Sequence, residues 1–209
     1  MQFKIGSINT LDRHKAYSFS GTPDRGWGFL EQGGIALVII FVIIVVLGGY
    51  NLVKKRVNVG LEAANIQTLI TTGQNLMKSA EGYDFTSTQK MTGALIQMDA
   101  VPKSMTVRGT PSSGIATLHN VWGGAVTLGA VASAASGFNS GFSVTYEKVP
   151  QAECIQLVTQ VSRSQIANGI TLNSTGHNDG IVTTEEASSQ CTADSGNAGT
   201  NRLVFTVNS

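Results

Sequence analysis

The chain has 209 residues, 42% of them hydrophobic, which suffices for one modest domain with an appendage. Its 14 Lys and Arg residues nearly balance 13 Asp and Glu residues. This balance, with no basic stripe carrying interleaved aromatic residues, excludes the pattern typical of nucleic-acid-binding proteins.

A long apolar segment follows a polar leader of residues 1–26. Residues 32–53 carry no charge and would span about 33 Å as a helix, enough to cross a bilayer core. The alternative is a buried helix of a soluble protein. The sequence is not that of an ordinary cleaved signal peptide, because no small-x-small site follows the apolar core. We therefore predict a leader at 1–26, a transmembrane helix at 27–53 and a globular domain at 54–209.

The orientation of this helix does not follow from its flanking charges, since basic residues lie on both sides. The two cysteines, Cys154 and Cys191, both lie in the globular part. Because paired cysteines are typical of exported domains, we expect residues after 53 to lie outside the cytoplasm. Two unpaired buried thiols are the alternative.

The helical pattern continues beyond the apolar segment. Apolar or small residues recur at steps of four and three from Val59 to Ala80, with polar residues such as Asn65 and Gln67 on the remaining surface. This predicts one helix from about Phe29 to Ala80, apolar in its first half and amphipathic in its second. Gly48 and Gly49 interrupt it, either to permit close helix packing or to act as a hinge.

The rest of the chain predicts a sheet and two shorter helices. Residues 81–124 are expected to be a connector with a short helix at 88–96 and a turn at 122–124. Strands are expected at 126–132, 142–146 and 203–207, with a loop at 133–141. Pro150 begins a helix with Cys154, Leu157 or Val158, and Val161 inside and a stop at Gly169, and residues 170–201 are mostly loop. The predicted class is α+β, a long N-terminal helix packed on an antiparallel sheet.

The junction before the apolar segment resembles the processing signal of type IV prepilins. Gly26 is followed by the aromatic Trp27, and Glu31 is the fifth residue after the glycine. The resemblance implies cleavage after Gly26 by prepilin peptidase, methylation of a new N-terminus at Trp27, and use of Glu31 in assembly. A cut after Gly28 is the alternative.

The long leader and the tryptophan resemble the type IVb branch, especially the thin-pilus pilins of conjugative plasmids and their relatives in enteric bacteria. Residues 94–105 and 121–124 share this resemblance. It implies the type IV pilin fold with a disulfide-bounded C-terminal region. It also implies a major pilin that is a homopolymer in the extracellular pilus, used for mating-pair stabilisation or adhesion. The inner-membrane assembly machinery and the membrane itself would be partners before assembly.

Glu31 has a physical reason to guide assembly. A carboxylate at the hydrocarbon boundary is costly unless paired, and the free amine of Trp27 on a neighbouring subunit is the available cation. Such a pair would fix the register between helices that otherwise slide freely. The alternative is that Glu31 only favours the positive end of its own helix dipole.

A bridge between Cys154 and Cys191 would enclose residues 168–178, the predicted filament surface. His14, His119 and His177 lack metal-ligand spacing, residues 178–180 read as a turn, and no catalytic fingerprint occurs, so no metal, cofactor or enzymatic activity is expected. Alternative functions are a type II secretion pseudopilin, a minor or tip pilin adhesin, and a signal-anchored periplasmic enzyme.

Overall fold

The computed structural model describes residues 25–132 and 139–208, and the side chains of residues 38–46, 56–132 and 139–208. Residues 1–24, which hold most of the predicted leader, and residues 133–138, which hold most of the predicted loop, lie outside the described residues. The chain divides into two compact units, Met1–Gly48 and Gly49–Ser209.

Helix α1 runs over Arg25–Leu76, close to the predicted span. In the first unit, the side chains of residues 38–46 are all large, apolar and exposed. Among residues whose side chains are described, no helix is long and apolar enough to cross a membrane. The helix ends four residues earlier than predicted because Ser79 and Gly82 exchange backbone hydrogen bonds of 2.8 and 3.2 Å, which close a tight turn.

The second half of α1 contributes an inner face to the core of the second unit. Val59, Ile66 and Ile70 of the predicted stripe are buried, as is Leu69. The prediction that Asn65 lies on the surface is wrong, because Asn65 is buried and hydrogen-bonded.

Helix α2 spans Thr88–Gln97, as the sequence predicted, and Ser87 caps it by accepting a hydrogen bond from the Lys90 N–H. Its buried face includes Met91, Leu95 and Ile96. Gly93 lies on the same face, and a Cβ there would collide with the carbonyl oxygen of Gly114. The close approach of the chain at residue 114 therefore requires glycine at 93.

Seven antiparallel strands form one sheet in the order β1-β2-β3-β4-β7-β5-β6. The strands are β1 Thr106–Arg108, β2 Thr117–His119, β3 Ala125–Val131, β4 Gly141–Val149, β5 Gly169–Leu172, β6 Thr175–His177 and β7 Asn201–Asn208. A 3-10 turn at Pro111–Ser113 separates β1 from β2, helix α3 spans Gln151–Ser164 and helix α4 spans Thr184–Gln190. The C-terminal strand β7 thus lies between β4 and β5 in the interior of the sheet.

The alternation predicted for β4 and β7 identifies the side chains of these strands that belong to the core. Phe142, Val144 and Tyr146 of β4 are buried together with Leu203, Phe205 and Val207 of β7. Tyr146 and Phe205 form an edge-to-face pair with ring centroids 6.4 Å apart. The class is α+β, as predicted, with helices and sheet sharing one hydrophobic core.

Several short elements were missed. Strands β1 and β2 lie in the predicted connector, and β5, β6 and α4 lie in the segment 170–201 that was expected to be mostly loop. Helix α3 stops at Ser164, where Gln165 adopts a left-handed conformation (φ 51°), and Gly169 instead begins β5. Strands of three or four residues carry too little alternation to be seen in sequence; pairing with longer neighbours stabilises them.

Candidate functional site: a disulfide-bounded region and a buried carboxylate

The predicted processing residues belong to helix α1. Gly26, Trp27 and Glu31, like Gly48 and Gly49, lie within its backbone bounds. Their side chains are outside the described residues, so cleavage, assembly and hinge roles stay predictions.

The two cysteines are bonded to each other. Cys154 in α3 and Cys191 at the end of α4 have their sulfur atoms 2.00 Å apart and their Cα atoms 6.1 Å apart, as the sequence predicted. Both side chains are buried. The bridge bounds a region that contains β5, β6 and α4.

Asn201, at the start of β7, ties this region to the sheet. Its side chain is fully buried. The Nδ2 group donates to the carbonyl oxygens of Val149 and Thr192 at 3.1 and 2.9 Å. The Oδ1 atom accepts from the Thr192 N–H at 2.6 Å and from the Thr192 hydroxyl and the Asn173 side-chain amide at 3.0 Å each. The Asn201 side chain therefore pairs with the backbone and hydroxyl groups of Thr192, the residue just after Cys191.

Asn173 holds the turn between β5 and β6. It has a left-handed backbone (φ 53°), which asparagine tolerates better than most residues. Its Nδ2 group donates to the Gln190 carbonyl at 2.8 Å, and its Oδ1 atom accepts from the Arg202 N–H at 2.9 Å. Asn173 thus links the hairpin, helix α4 and β7.

The start of α3 is joined to the segment after the bridge. The Gln151 N–H donates to Asp194 Oδ1 at 2.7 Å, and the Gln151 side-chain amide donates to the Cys191 carbonyl at 3.0 Å. These contacts and the bridge hold the same two segments together.

Helix α4 starts with a capping box. The Thr183 hydroxyl accepts from the Glu186 N–H, and the Glu186 carboxylate accepts from the Thr183 N–H at 2.8 Å. The hydrogen bonds from the Thr183 backbone and hydroxyl, with a smaller contribution from His177, lower the pKa of Glu186 below its usual range. The carboxylate therefore favours its ionised form in the folded state.

The predicted filament surface, residues 168–178, forms the β5–β6 hairpin at one edge of the sheet. Ser174, Thr175, Gly176 and Asn178 are exposed. The His177 ring lies 2.9 Å from Gln190 Oε1, which attaches the hairpin to α4. Residues 178–180 form the expected turn, closed by the Gly180 N–H donating to the His177 carbonyl.

A buried carboxylate that the sequence did not single out joins α1 to the sheet. Glu62 is fully buried. Its Oε1 atom accepts from the Val121 N–H at 2.6 Å, and its Oε2 atom accepts from Asn65 Nδ2 at 3.0 Å and from the Tyr146 hydroxyl at 3.2 Å. Burial, the neighbouring Glu62 charge and the hydrogen bond to it raise the pKa of Tyr146 well above its usual range.

The outer face of the same half-helix is free of charge. Glu62 is the single charged residue between Val57 and Met77, and it points inward. The exposed residues of this face are apolar, small or amide- and hydroxyl-bearing: Val57, Gly60, Leu61, Ala64, Gln67, Thr68, Thr71, Gln74, Asn75 and Leu76. A groove of about 160 Å³ lies between this face and α3, lined among others by Gly60, Ala64, Gln160 and Ser164.

The described residues contain no group of three or more His, Cys, Asp or Glu side chains placed to hold a metal. The His119 ring contacts the Thr117 hydroxyl and the Gly123 carbonyl at 3.1 and 3.4 Å. The signal that could have identified Glu62 is its position as a lone charge in an otherwise uncharged stretch of helix.

Comparison with known proteins gives a consistent result. A family model described as PilS N terminal matches residues 56–208. A crystal structure of a type IVb pilin from Salmonella typhi is 49% identical, with 72% of this chain covering 99% of that one at a TM-score of 0.64. An NMR structure of the type IVb pilin PilS from Salmonella typhi is 46% identical, with 73% of this chain covering 97% of that one at a TM-score of 0.51. No curated protein matched.

Proposed function

The chain belongs to the PilS family of type IVb pilins, and we propose that it is cut between Gly26 and Trp27 and polymerised into a pilus filament. A pilin is a structural subunit of an extracellular pilus. The support for the processing and assembly steps comes from the sequence and the surface of this chain.

The observation that carries polymerisation is the uncharged outer face of α1 between Val57 and Leu76. A solvated helix normally presents charged side chains on its outer face. The cores of protein interfaces, by contrast, are depleted in charge. The face therefore has the composition of a surface that another subunit covers, and Gly60 and Ala64 keep it low enough for close approach.

Export is supported by the disulfide. Such bonds persist in oxidising compartments outside the cytoplasm. A precursor held in the inner membrane by residues 27–53, with the leader cytoplasmic and the globular domain periplasmic, would form the bridge before assembly. Prepilin peptidase and the inner-membrane assembly machinery are the partners that this route requires.

Glu31 supplies the register in this proposal. Once Trp27 is the N-terminus, its amine is a cation near the carboxylate of a neighbouring helix, and a misplaced buried charge penalises other offsets. Burial of successive apolar helices drives association, and a heterologous interface that does not close on itself gives a fibre. The exposed β5–β6 hairpin would then face outward, for mating-pair stabilisation or adhesion.

A matched pair of charge insertions tests the proposal. Gln67→Lys places a cation on the uncharged face, whereas Gln89→Lys places one at an exposed position of α2. We expect both variants to be cut after Gly26, as mass spectrometry of the mature chain would show, but only Gln67→Lys to lose filaments in electron micrographs of sheared cells. Normal filaments from Gln67→Lys would contradict the assigned interface, and an uncut wild-type chain would contradict the processing.

A further inference from the structure

Glu62 joins parts of the domain that are far apart in sequence. Its carboxylate receives donors from α1 itself, from β4 and from the turn at residues 120–124. Asn65 extends the connection, because its Oδ1 atom accepts from the Ser104 hydroxyl at 2.6 Å in the segment after α2.

The turn at 120–124 has its own internal scaffold. Asn120 Oδ1 accepts from the Trp122 and Gly124 N–H groups at 3.0 and 2.8 Å, and Asn120 Nδ2 donates to the Glu147 carbonyl at 2.8 Å. The turn therefore keeps its shape without Glu62. The Val121 N–H to Glu62 bond is what ties its outer side to α1.

The donor set around Glu62 suits the ionised carboxylate. The groups that it binds are an amide N–H, a side-chain NH₂ and a hydroxyl, and in the structure all three donate to its oxygens. A proton on either oxygen removes the negative charge that the two oxygens share. Either way the bond from Val121 to a charged acceptor becomes at best a neutral one, which is about half as strong.

Other titratable groups lie near the residues that donate to Glu62. Tyr146 of β4 is held as the neutral phenol by its raised pKa. Glu147 of β4 pairs with Arg202 at 3.0 Å, and Lys103, next to Ser104, pairs with Asp99 at 2.6 Å. His119 contacts the carbonyl of Gly123 in the same turn at 3.4 Å, so a His119 variant serves as a control.

We propose that Glu62 is a proton-responsive tie between α1 and the turn at 120–124. The ionised carboxylate holds Val121 against the helix; a proton on it weakens this bond and lets the turn, with the partly buried Trp122, move relative to α1. The proposal does not depend on processing or filament assembly.

The test uses residues 56–209, which contain the whole described core from Val59 to Val207. The crystal structure of the Salmonella typhi pilin contains a chain that matches only 72% of this one, over 99% of its own length. We therefore expect a chain of this extent to fold by itself. Trp122 is its single tryptophan. Glu62→Gln mimics the uncharged carboxyl, and Glu153→Gln is the matched control, since Glu153 is buried in α3.

At neutral pH we expect Glu62→Gln to lower the hydrogen-exchange protection of the Val121 amide about tenfold and to shift Trp122 emission, with Glu153→Gln unchanged. In the wild type, NMR should show the Val121 amide and the Glu62 carboxyl carbon titrating with one midpoint, and His119→Gln should keep that midpoint. If a folded Glu62→Gln variant keeps hydrogen-exchange protection of the Val121 amide within twofold of wild type, the proposal is overturned. If Glu62→Gln does not fold, the wild-type titration decides: a flat Val121 response, or one that His119→Gln removes, overturns it.

Discussion

The side-chain amide of Asn173 donates to the side-chain oxygen of Asn201 at 3.0 Å, linking the β5–β6 turn to the first residue of β7 inside the disulfide-bounded region. Asn201 is fully buried and every polar atom of its side chain is used.

Asn201→Ala should destabilise the domain by about 2–4 kcal/mol, because it leaves the buried Val149 carbonyl and the partly buried carbonyl and N–H groups of Thr192 without these partners. Urea denaturation of residues 56–209 with the bridge intact measures this. Asn197→Ala, at an exposed turn position, is the control and should change stability by less than about 0.5 kcal/mol. Equal stability of the two variants would refute the structural role of Asn201.

Replacing both Cys154 and Cys191 with Ala removes a bridge between residues 37 apart in sequence, which should cost about 4 kcal/mol on the chain-entropy account. We nevertheless expect the region to stay docked, since Asn201, Asn173 and Gln151 hold it by hydrogen bonds. Hydrogen exchange at Thr192 and Arg202 amides reports docking. Loss of their protection while α1 and β4 stay protected would show that the bridge alone holds the region.

Gly60 and Gly93 are both helical but should respond oppositely to alanine. A Cβ at Gly60 meets nothing within 4 Å, so Gly60→Ala should stabilise the isolated domain by about 0.5–1 kcal/mol. A Cβ at Gly93 collides with the Gly114 carbonyl, so Gly93→Ala should destabilise it by about 1–3 kcal/mol. Thermal unfolding followed by circular dichroism distinguishes them; the same sign for both would contradict the packing at residue 114.

The capping box of α4 should weaken in acid. The pKa of Glu186 is lower folded than unfolded, so its contribution is present above the unfolded value of about 4.3 and is lost as pH falls through the lower folded value. Protection of the Ala187 amide should fall over that window in the wild type. Glu186→Gln should remove this pH dependence, and Glu185→Gln, which leaves the box intact, should retain it. A wild type without the pH dependence would exclude the carboxylate as the cause.

Glu31→Val should leave cleavage after Gly26 intact and impair assembly. In the proposed filament, a carboxylate at position 31 is needed to fix the register between neighbouring helices. The control variant Glu81→Val, at an exposed position of the globular domain, should assemble pili normally. Immunoblots of cell-bound and sheared fractions, with mass determination of the mature subunit, separate processing from assembly. Wild-type piliation by Glu31→Val would refute the role in register.

Sequence alone predicted the elements with strong periodicity. The stripe through Val59, Ile66 and Ile70 and the alternation through Phe142, Val144 and Tyr146 both correspond to buried faces. The pair Cys154 and Cys191 was predicted from composition and compartment, because two cysteines allow one pairing. These features depend on local order along the chain.

What sequence did not predict depends on partners distant in the chain. Glu62 looks like a solvated helix residue until Val121 and Tyr146, about sixty and eighty residues later, supply donors, and Asn65 does so until Ser104 supplies one. The strand β5 is stable because it pairs with β7. Asn201 gives no signal in sequence, since its role exists only once the chain after Cys191 lies beside the sheet.

The placement of β7 between β4 and β5 makes the middle of the sheet depend on the strand that comes after the other six in sequence. Without Asn201–Asn208, β4 lacks its neighbour on one side and the β5–β6 hairpin has no strand to join. Loss of β7 would remove an interior strand of the sheet and would leave one edge of β4 and one edge of β5 unpaired. The sheet is therefore continuous only when β7 is in place, and a chain without β7 would be open to proteolysis at the exposed strands.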